Sequence, residues 1–249
     1  MNQAYIVAAR RTAGGRRKGR LAGWHPVEMA ARIIDALIDD LQADPATVDD
    51  VIMGCVSQIG EQSTNVGRNA VLASCLPESV PGTSVDRQCG SSQQAVHFAA
   101  QAVMSGTMDM VIAAGVESMT RVPMGSPVNL AQQASLGHYQ SRTILERYKH
   151  QIFSQFVGAE MVAKKYGLTR EDLDVYALES HRRAAGATEA GHFSAEILPL
   201  PVLDAAGRPT DDRHEIDEGI RFDASASAIG AMAPLQEGGL VTAANASQI

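Results

Sequence analysis

A chain of 249 residues with 45% hydrophobic and 20% charged residues has an ordinary globular composition, which excludes extended disorder. Its net charge of −7 argues against a general nucleic-acid-binding protein. No apolar run reaches the roughly 20 residues of a membrane-spanning helix, and the first ten residues lack the apolar segment of a signal peptide. We therefore expect a soluble, cytoplasmic protein with neither a nucleic-acid nor a membrane partner.

Strand and helix patterns alternate through the first half of the chain. The predicted strands cover residues 5–9, 51–56, 83–85 and 110–114. The predicted helices between them cover residues 26–41, 65–75 and 90–104. This alternation indicates a mostly parallel sheet covered by helices, in which ligands bind beyond the carboxyl ends of the strands.

The pattern changes after the fourth strand. Residues 121–155 are rich in Pro, Gly, Ser and Gln and have little periodicity, apart from a short helix predicted near 144–148. A loop of this length inside a compact chain is usually functional. A longer helix is predicted over 169–190, because Thr169 and Asp172 are spaced as in a capping box.

The three cysteines, Cys55, Cys75 and Cys89, are odd in number, and their spacing matches no zinc-binding pattern. A scaffold held by disulfides is not expected in a chain of this size. The seven histidines also fall outside metal-ligand spacing, so we predict no metal site. One of the thiols can instead act as a nucleophile, and the local sequence must decide which.

Cys89 lies between a predicted strand and the start of a predicted helix. A thiolate there is stabilised by the exposed N–H donors and the partial positive charge of the helix N-terminus. Gly90 lets a substrate approach the backbone, and the Cys89 N–H can help to bind an oxyanion. A free cysteine is otherwise a small buried hydrophobe, the interpretation favoured for Cys55 and Cys75. Position alone leaves both interpretations open for Cys89.

Residues 86–95, Asp-Arg-Gln-Cys-Gly-Ser-Ser-Gln-Gln-Ala, resemble the nucleophile segment of the thiolase family. Four other segments agree with thiolases in order and spacing. They are Val-Ala-Ala-Arg-Arg-Thr at 7–12, Ala-Gly-Val-Glu-Ser-Met-Thr at 114–120, Gly-Ala-Glu-Met-Val-Ala at 158–163 and Val-Thr-Ala-Ala-Asn-Ala-Ser at 241–247. One motif is weak evidence, but five in register along the chain are strong. The resemblance implies that Cys89 is the acyl-carrying nucleophile.

The resemblance also implies an α/β, thiolase-like fold with a defined division of the chain. Residues 1–121 would form an N-terminal domain with a helix-covered mixed sheet. Residues 122–244 would form an inserted loop domain for CoA binding and oligomerisation, and 245–249 would begin the return into the first domain. The family's Asn-Glu-Ala-Phe, Gly-His-Pro and Cys-x-Gly signatures are not found in the sequence. We therefore expect a truncated thiolase whose C-terminal half is absent.

In function, the resemblance implies an acyl-CoA C-acyltransferase that forms or cleaves a 3-ketoacyl-CoA through an acyl group on Cys89, in fatty-acid or related acyl-CoA metabolism. Coenzyme A and acyl-CoA would be substrates, with no permanently bound cofactor, and the protein a homodimer or homotetramer. Arg221 aligns with a family arginine near the nucleotide end of CoA. Ser247 aligns with a family serine that lines the pantetheine tunnel. An ordinary surface role stays open for both residues.

Two other functions also stay open. A condensing enzyme of the ketoacyl-synthase type has the same fold and a nucleophilic cysteine, but the segment 115–119 and the long loop domain disfavour it. A non-catalytic subunit that retains the thiolase fold is the second alternative. The sequence does not separate an acetyl-CoA C-acetyltransferase from an acetyl-CoA C-acyltransferase.

Overall fold

The structure is a computed structural model that describes residues 3–151 and 153–247. Its helices are α1 (Pro26–Leu41), α2 (Val66–Ala73), α3 (Ser91–Ser105), α4 (Ser126–Gln133), α5 (Arg142–Arg147), α6 (Gln155–Tyr166), α7 (Arg170–Glu189) and α8 (Ala226–Gly230). Its strands are β1 (Asp50–Gly54), β2 (Gly82–Val85), β3 (Val111–Gly115), β4 (Leu200–Leu203) and β5 (Pro209–His214). Among the described residues, every helix is too short or too polar to span a bilayer.

The central sheet is parallel, with the strand order β2-β1-β3. Val51 and Met53 of β1 pack in one apolar cluster with α1 and α2, whereas Ile52 packs on the opposite face against Ala95 and Ala99 of α3. This alternation follows from the two-residue repeat of a strand. Helices therefore cover both faces, which confirms the predicted α/β class. The antiparallel pair β4-β5 forms a separate two-stranded sheet.

Helix α7 confirms the predicted capping box. The Thr169 side chain accepts the Asp172 N–H, and the Asp172 carboxylate accepts the Thr169 N–H at 2.7 Å. These two bonds satisfy donors that the first turn of a helix otherwise leaves unpaired. The start of the helix is therefore set by residues that are close in sequence.

The strand predicted at residues 5–9 is wrong. Residues 3–10 belong to no strand, and Tyr5, Ile6 and Val7 are 75%, 82% and 67% exposed. An apolar run becomes a strand only where a neighbouring strand pairs with it. Within the described residues, nothing forms a ladder with residues 3–10, so the run forms no strand.

Other differences concern elements with a weak apolar pattern. The strand predicted at 51–56 ends at Gly54, so Cys55 lies just beyond it. Helix α4, inside the predicted long loop, buries no residue, and the polar strand β5 buries only His214. Without a buried face there is no hydrophobic repeat to recognise.

The chain divides into two compact units. The first unit consists of residues 1–137 and 196–215 and contains the sheet and both apolar clusters. The second unit consists of residues 138–195 and 216–249 and contains helices α5 to α8. The domain boundaries predicted at residues 121 and 244 stay a prediction, and residues 248–249 of the predicted returning segment lie outside the described residues.

Candidate active site

Cys89 lies in a tight turn between the end of β2 and the start of α3. The Gly90 N–H donates to the Arg87 carbonyl oxygen at 3.1 Å, and the Ser91 N–H donates to the Gln88 carbonyl oxygen at 2.9 Å. Gln88 has a φ of +49°, in the left-handed region that non-glycine residues rarely adopt. The turn presents the Cys89 side chain to solvent at the helix start.

Ser91 stabilises this turn from inside. Its side chain accepts the Arg87 N–H at 2.9 Å and donates to the Gln88 carbonyl oxygen at 2.5 Å, while the residue is only 4% exposed. The Asp86 carboxylate also accepts the Gln88 N–H at 2.7 Å. These bonds offset the cost of the unusual Gln88 backbone, which is of order 1–3 kcal/mol. The conformation around Cys89 is therefore fixed by its immediate neighbours.

Two glycines let the first turn of α3 lie directly against the edge of the sheet. Gly54 ends β1 and Gly115 ends β3, and the two are opposite each other in the ladder. A Cβ on Gly54 would lie 2.4 Å from the Ser92 nitrogen, and a Cβ on Gly115 would lie 1.9 Å from Ser92 Oγ. Either side chain would displace the helix start, so the position of Cys89 depends on both glycines.

The N-terminus of α3 has no side-chain cap, because its N-cap residue is Gly90. The partial positive charge of the first turn is therefore not neutralised by a capping side chain. A thiolate at Cys89, or an oxyanion formed on a group attached to it, would lie in this favourable field.

The other two thiols have environments that disfavour the thiolate. Cys55 is 1% exposed, and burial, followed by the nearby charge of Glu117, raises its pKa to about 12. Cys75 is exposed as a residue, but partial burial of its thiol and a hydrogen bond to Asp35 raise its pKa to about 11. Both remain protonated at neutral pH. The predicted burial is confirmed for Cys55 but is wrong for Cys75, which is exposed.

Residues 4–249 match the family described as "Thiolase, N-terminal domain". The chain belongs to the thiolase family.

Relatives from several bacteria support this assignment. A steroid 3-ketoacyl-CoA thiolase from Mycobacterium tuberculosis is 46% identical over 100% of this chain and 60% of its own length. A 3-ketoacyl-CoA thiolase from Erwinia tasmaniensis is 38% identical over 100% of this chain and 62% of its own length. A β-ketoadipyl-CoA thiolase from Escherichia coli is 37% identical over 100% of this chain and 64% of its own length. The chain thus spans about 60% of the length of these thiolases.

The two residues that the thiolase resemblance assigned to CoA lie in the second unit, whereas Cys89 lies in the first. Arg221 is exposed, and its backbone N–H donates to His181 Nδ1 at 3.2 Å. Ser247 is also exposed and follows a turn in which Asn245 Oδ1 accepts the Thr242 N–H at 2.7 Å. Both side chains are accessible to a ligand at the surface of their own unit.

Two polar residues that the sequence did not single out lie near the strand ends of the first unit. Gln62 is fully buried, and Glu117 lies two residues after β3. Glu117 belongs to one of the thiolase-like segments, but nothing in that segment indicates that its carboxylate bonds Cys55, Val56 and Gln62, which precede it by 62, 61 and 55 positions. Within residues 3–151 and 153–247, no group of three or more His, Cys, Asp or Glu side chains is arranged to hold a metal ion.

Proposed function

We propose that this chain carries the nucleophile of an acyl-CoA C-acyltransferase of the thiolase type, which forms or cleaves a 3-ketoacyl-CoA. The observation that carries the proposal is the position of Cys89, an exposed thiol at an uncapped helix N-terminus beyond the carboxyl end of β2. The whole protein's substrates and partners are part of the same proposal.

In the proposed acyl transfer, the Cys89 thiolate attacks the thioester carbonyl carbon of an acyl-CoA. A new carbon–sulfur bond forms to Cys89, and the carbonyl carbon's bond to the CoA sulfur breaks, so that CoA leaves as a thiolate. One thioester replaces another, which makes the exchange nearly balanced in free energy. Covalent catalysis of this kind divides one difficult step into two easier ones.

In the proposed cleavage of a 3-ketoacyl-CoA, the thiolate attacks the ketone carbon instead. The bond between C2 and C3 breaks, the acyl group stays on Cys89, and the acetyl-CoA carbanion takes up a proton. A CoA thiolate then removes the acyl group and restores the free thiolate. The Gly90 N–H is already bonded to Arg87, which leaves the Cys89 N–H as the candidate donor to the oxyanion.

We propose an acyl group larger than acetyl as the transferred group. The support is in the names of the relatives, which include a steroid 3-ketoacyl-CoA thiolase and a β-ketoadipyl-CoA thiolase. A medium-chain 3-ketoacyl-CoA should therefore be cleaved with a higher kcat/KM than acetoacetyl-CoA. Equal or reversed values would favour an acetyl-CoA C-acetyltransferase.

Transfer of an acetyl group tests the nucleophile directly. After incubation with acetyl-CoA at mildly alkaline pH, the mass of the chain should rise by one acetyl group, and peptide mapping should place it on Cys89. Cys89→Ser should abolish the rise, whereas Cys75→Ser, a matched change at the other exposed thiol, should not. Acetylation that mapped to Cys55 or Cys75, or none at all, would refute the assignment and favour a non-catalytic subunit.

We propose that Arg221 and Ser247 bind CoA, Arg221 through a phosphate and Ser247 along the pantetheine arm. Loss of one charge-assisted hydrogen bond should make Arg221→Ala bind CoA about tenfold more weakly or worse, with a smaller effect for Ser247→Ala. Arg142→Ala is the control, because that arginine has a 91% exposed side chain paired with Glu146 in the same unit. Isothermal calorimetry that gave equal affinities for the Arg221→Ala and Arg142→Ala variants would contradict the phosphate contact.

We also propose that the protein is a homodimer or homotetramer located in the cytoplasm, with neither nucleic acid nor membrane as a partner. Large apolar side chains lie exposed in the second unit, a feature that marks interaction surfaces. They include Tyr139, Tyr148, Phe153 and Tyr176. Light scattering should give at least twice the mass of one chain at micromolar concentration, and the mass of a single chain would refute the assembly.

A further inference from the structure

Glu117 accepts three N–H hydrogen bonds from the segment that follows β1, besides a longer one from the Cys55 thiol at 3.9 Å. Its Oε2 accepts the Val56 N–H at 2.8 Å. Its Oε1 accepts the Ser57 N–H at 3.3 Å and the Gln62 side-chain amide at 2.9 Å. The carboxylate therefore fastens the segment after β1 to the segment after β3.

Gln62 closes this network. The residue is 0% exposed, so its amide depends wholly on protein partners. Besides bonding Glu117, its Nε2 donates to the Ser57 carbonyl oxygen at 3.0 Å, and its Oε1 accepts the Ser118 N–H at 2.7 Å. Both side-chain polar atoms of Gln62 are used, and each bond joins residues that lie beyond the strand ends.

The network borders the surface on which α3 begins. Gly54 and Gly115, the last residues of β1 and β3, precede the two joined segments, and the Val116 N–H donates to the Gly54 carbonyl oxygen at 3.0 Å. A Cβ added to either of these glycines would collide with Ser92 in the first turn of α3. Any change in the spacing of the strand ends would thus move the first turn of α3.

We propose that Glu117 is a positioning residue for Cys89: with Gln62 it sets the spacing of the strand ends on which the α3 N-terminus rests. The inference rests on the proposed role of Cys89 as the nucleophile. Glu117 itself touches no reacting atom in this proposal. It acts by keeping the Cys89 thiolate in the field of the helix start.

A carboxylate suits this place because three N–H donors converge on it. Glutamine offers only one acceptor oxygen and would turn its own NH₂ group toward a donor. An alanine would leave all three donors without this acceptor, and buried unsatisfied donors are costly. The series Glu, Gln and Ala at position 117 should therefore weaken the network stepwise.

The test is the ratio of the alkylation rates of Cys89 and Cys75 by iodoacetamide in the folded chain. A misplaced helix start removes a favourable interaction of the helix N-terminus with negative charge on sulfur, which corresponds to about two- to fivefold in alkylation rate. Glu117→Ala should lower the ratio by about that factor, and Glu117→Gln should lie in between. Cys75 serves as the internal reference, because a general loss of stability does not by itself shift the ratio within folded molecules.

Glu160→Gln provides the matched control. The Glu160 carboxylate also accepts two backbone N–H groups, those of Leu240 and Val241 at 2.8 Å, but it lies in the second unit. Replacing it should leave the Cys89 to Cys75 ratio unchanged. A ratio that fell equally in the Glu117→Gln and Glu160→Gln variants would overturn the proposal.

The remaining outcomes are equally decisive. If Glu117→Ala lowers the melting temperature but not the ratio, the residue is structural only and the proposal fails. If that variant does not fold, Gln62→Asn, which shortens the bridging amide, takes its place: a lowered ratio supports the proposal and an unchanged one overturns it. If Cys89 of the unaltered chain reacts no faster than Cys75, the proposed function itself fails, whatever the variants at position 117 do.

Discussion

The two units of the molecule differ in what stabilises them. In the first unit, apolar clusters bury both faces of the sheet, and Ile34, Val51 and Met53 are completely enclosed. In the described part of the second unit, the buried residues are only Ala163, Ile229, Val241 and Thr242. Helix α7 spans 20 residues and buries none of them. One unit is therefore held by its core, whereas the helices of the other depend more on polar contacts.

Those contacts can be identified along α7. The capping box at Thr169 fixes its start, and Arg170 pairs with Asp174 one turn later at 2.7 Å. Near the middle, the Glu179 carboxylate pairs with Arg182 and Arg183 at 2.6 and 2.7 Å. Such pairs stabilise a helix by only a few tenths of a kcal/mol each. The comparison predicts large mutational effects in the first unit and small ones in the second.

The largest effect should come from truncating a core side chain. Met53→Ala removes a side chain that is 0% exposed and should lower the free energy of unfolding of its unit by about 2–5 kcal/mol. Met161→Ala, the same change at a residue 56% exposed in the second unit, should change it by about 0.5 kcal/mol or less. Hydrogen exchange, followed separately for the amides of each unit, measures both changes in the free energy of unfolding. Similar losses of protection would show that the second unit also has a stabilising core.

A Cβ at the edge of the sheet should have the next largest effect. Gly54→Ala places an atom 2.4 Å from the Ser92 nitrogen and should destabilise the first unit by about 1–3 kcal/mol. It should also slow alkylation of Cys89. Gly186→Ala is the matched change, because nothing lies within 4 Å of a Cβ there and the position is inside α7. That variant should gain up to about 1 kcal/mol.

Denaturant unfolding of the Gly54→Ala and Gly186→Ala variants measures both changes in stability. A Gly54→Ala protein as stable as the unaltered one would mean that the first turn of α3 does not depend on contact with the sheet edge. A destabilised Gly186→Ala protein would mean that α7 meets a neighbour at that position.

The smallest effect should be the response of α7 to acid. Hydrogen bonds from Arg182, then from Arg183, lower the pKa of Glu179 from its ordinary 4.5 to about 2. A lowered pKa in the folded state means that the contribution is complete above pH 4.5 and is lost as the pH falls toward 2. Because the pair is solvent-exposed, the loss should be slight and should shrink in high salt.

A carbon-detected NMR titration of the Glu179 carboxyl measures this midpoint. Arg182→Lys should change this midpoint, because an ammonium cannot form the forked contact of a guanidinium. A midpoint near the ordinary value in low salt would show that these ion pairs do not persist in solution, which would remove one of the local supports of α7.

Elements whose signals are local could be predicted from the sequence. Thr169 and Asp172 are three residues apart, and their side chains alone predict where α7 begins. Cys89 was placed at a strand–helix junction in the same way, because the apolar repeat changes within a few residues of it. Local physical chemistry decides both features, so neither required knowledge of distant contacts.

Features that depend on distant partners could not be predicted. The run at residues 5–9 has the composition of a strand but lacks a partner in the described chain. Strand β5 forms opposite β4 although its residues are mostly polar and exposed. The Glu117–Gln62 bond joins residues 55 positions apart, and a carboxylate in sequence looks the same whether it faces water or three amide donors.

The distance in sequence between Gln62 and its partners Glu117 and Ser118 also sets an order of folding events. Gln62 can be satisfied only after β3 has paired with β1, because its partners Glu117 and Ser118 follow β3. Closing a loop of that length costs entropy before any contact compensates for it. During synthesis, the amide groups of the segment after β1 therefore stay hydrated until residue 118 has emerged from the ribosome. The first turn of α3, next to Cys89, likewise reaches its place against Gly115 only after β3 has formed.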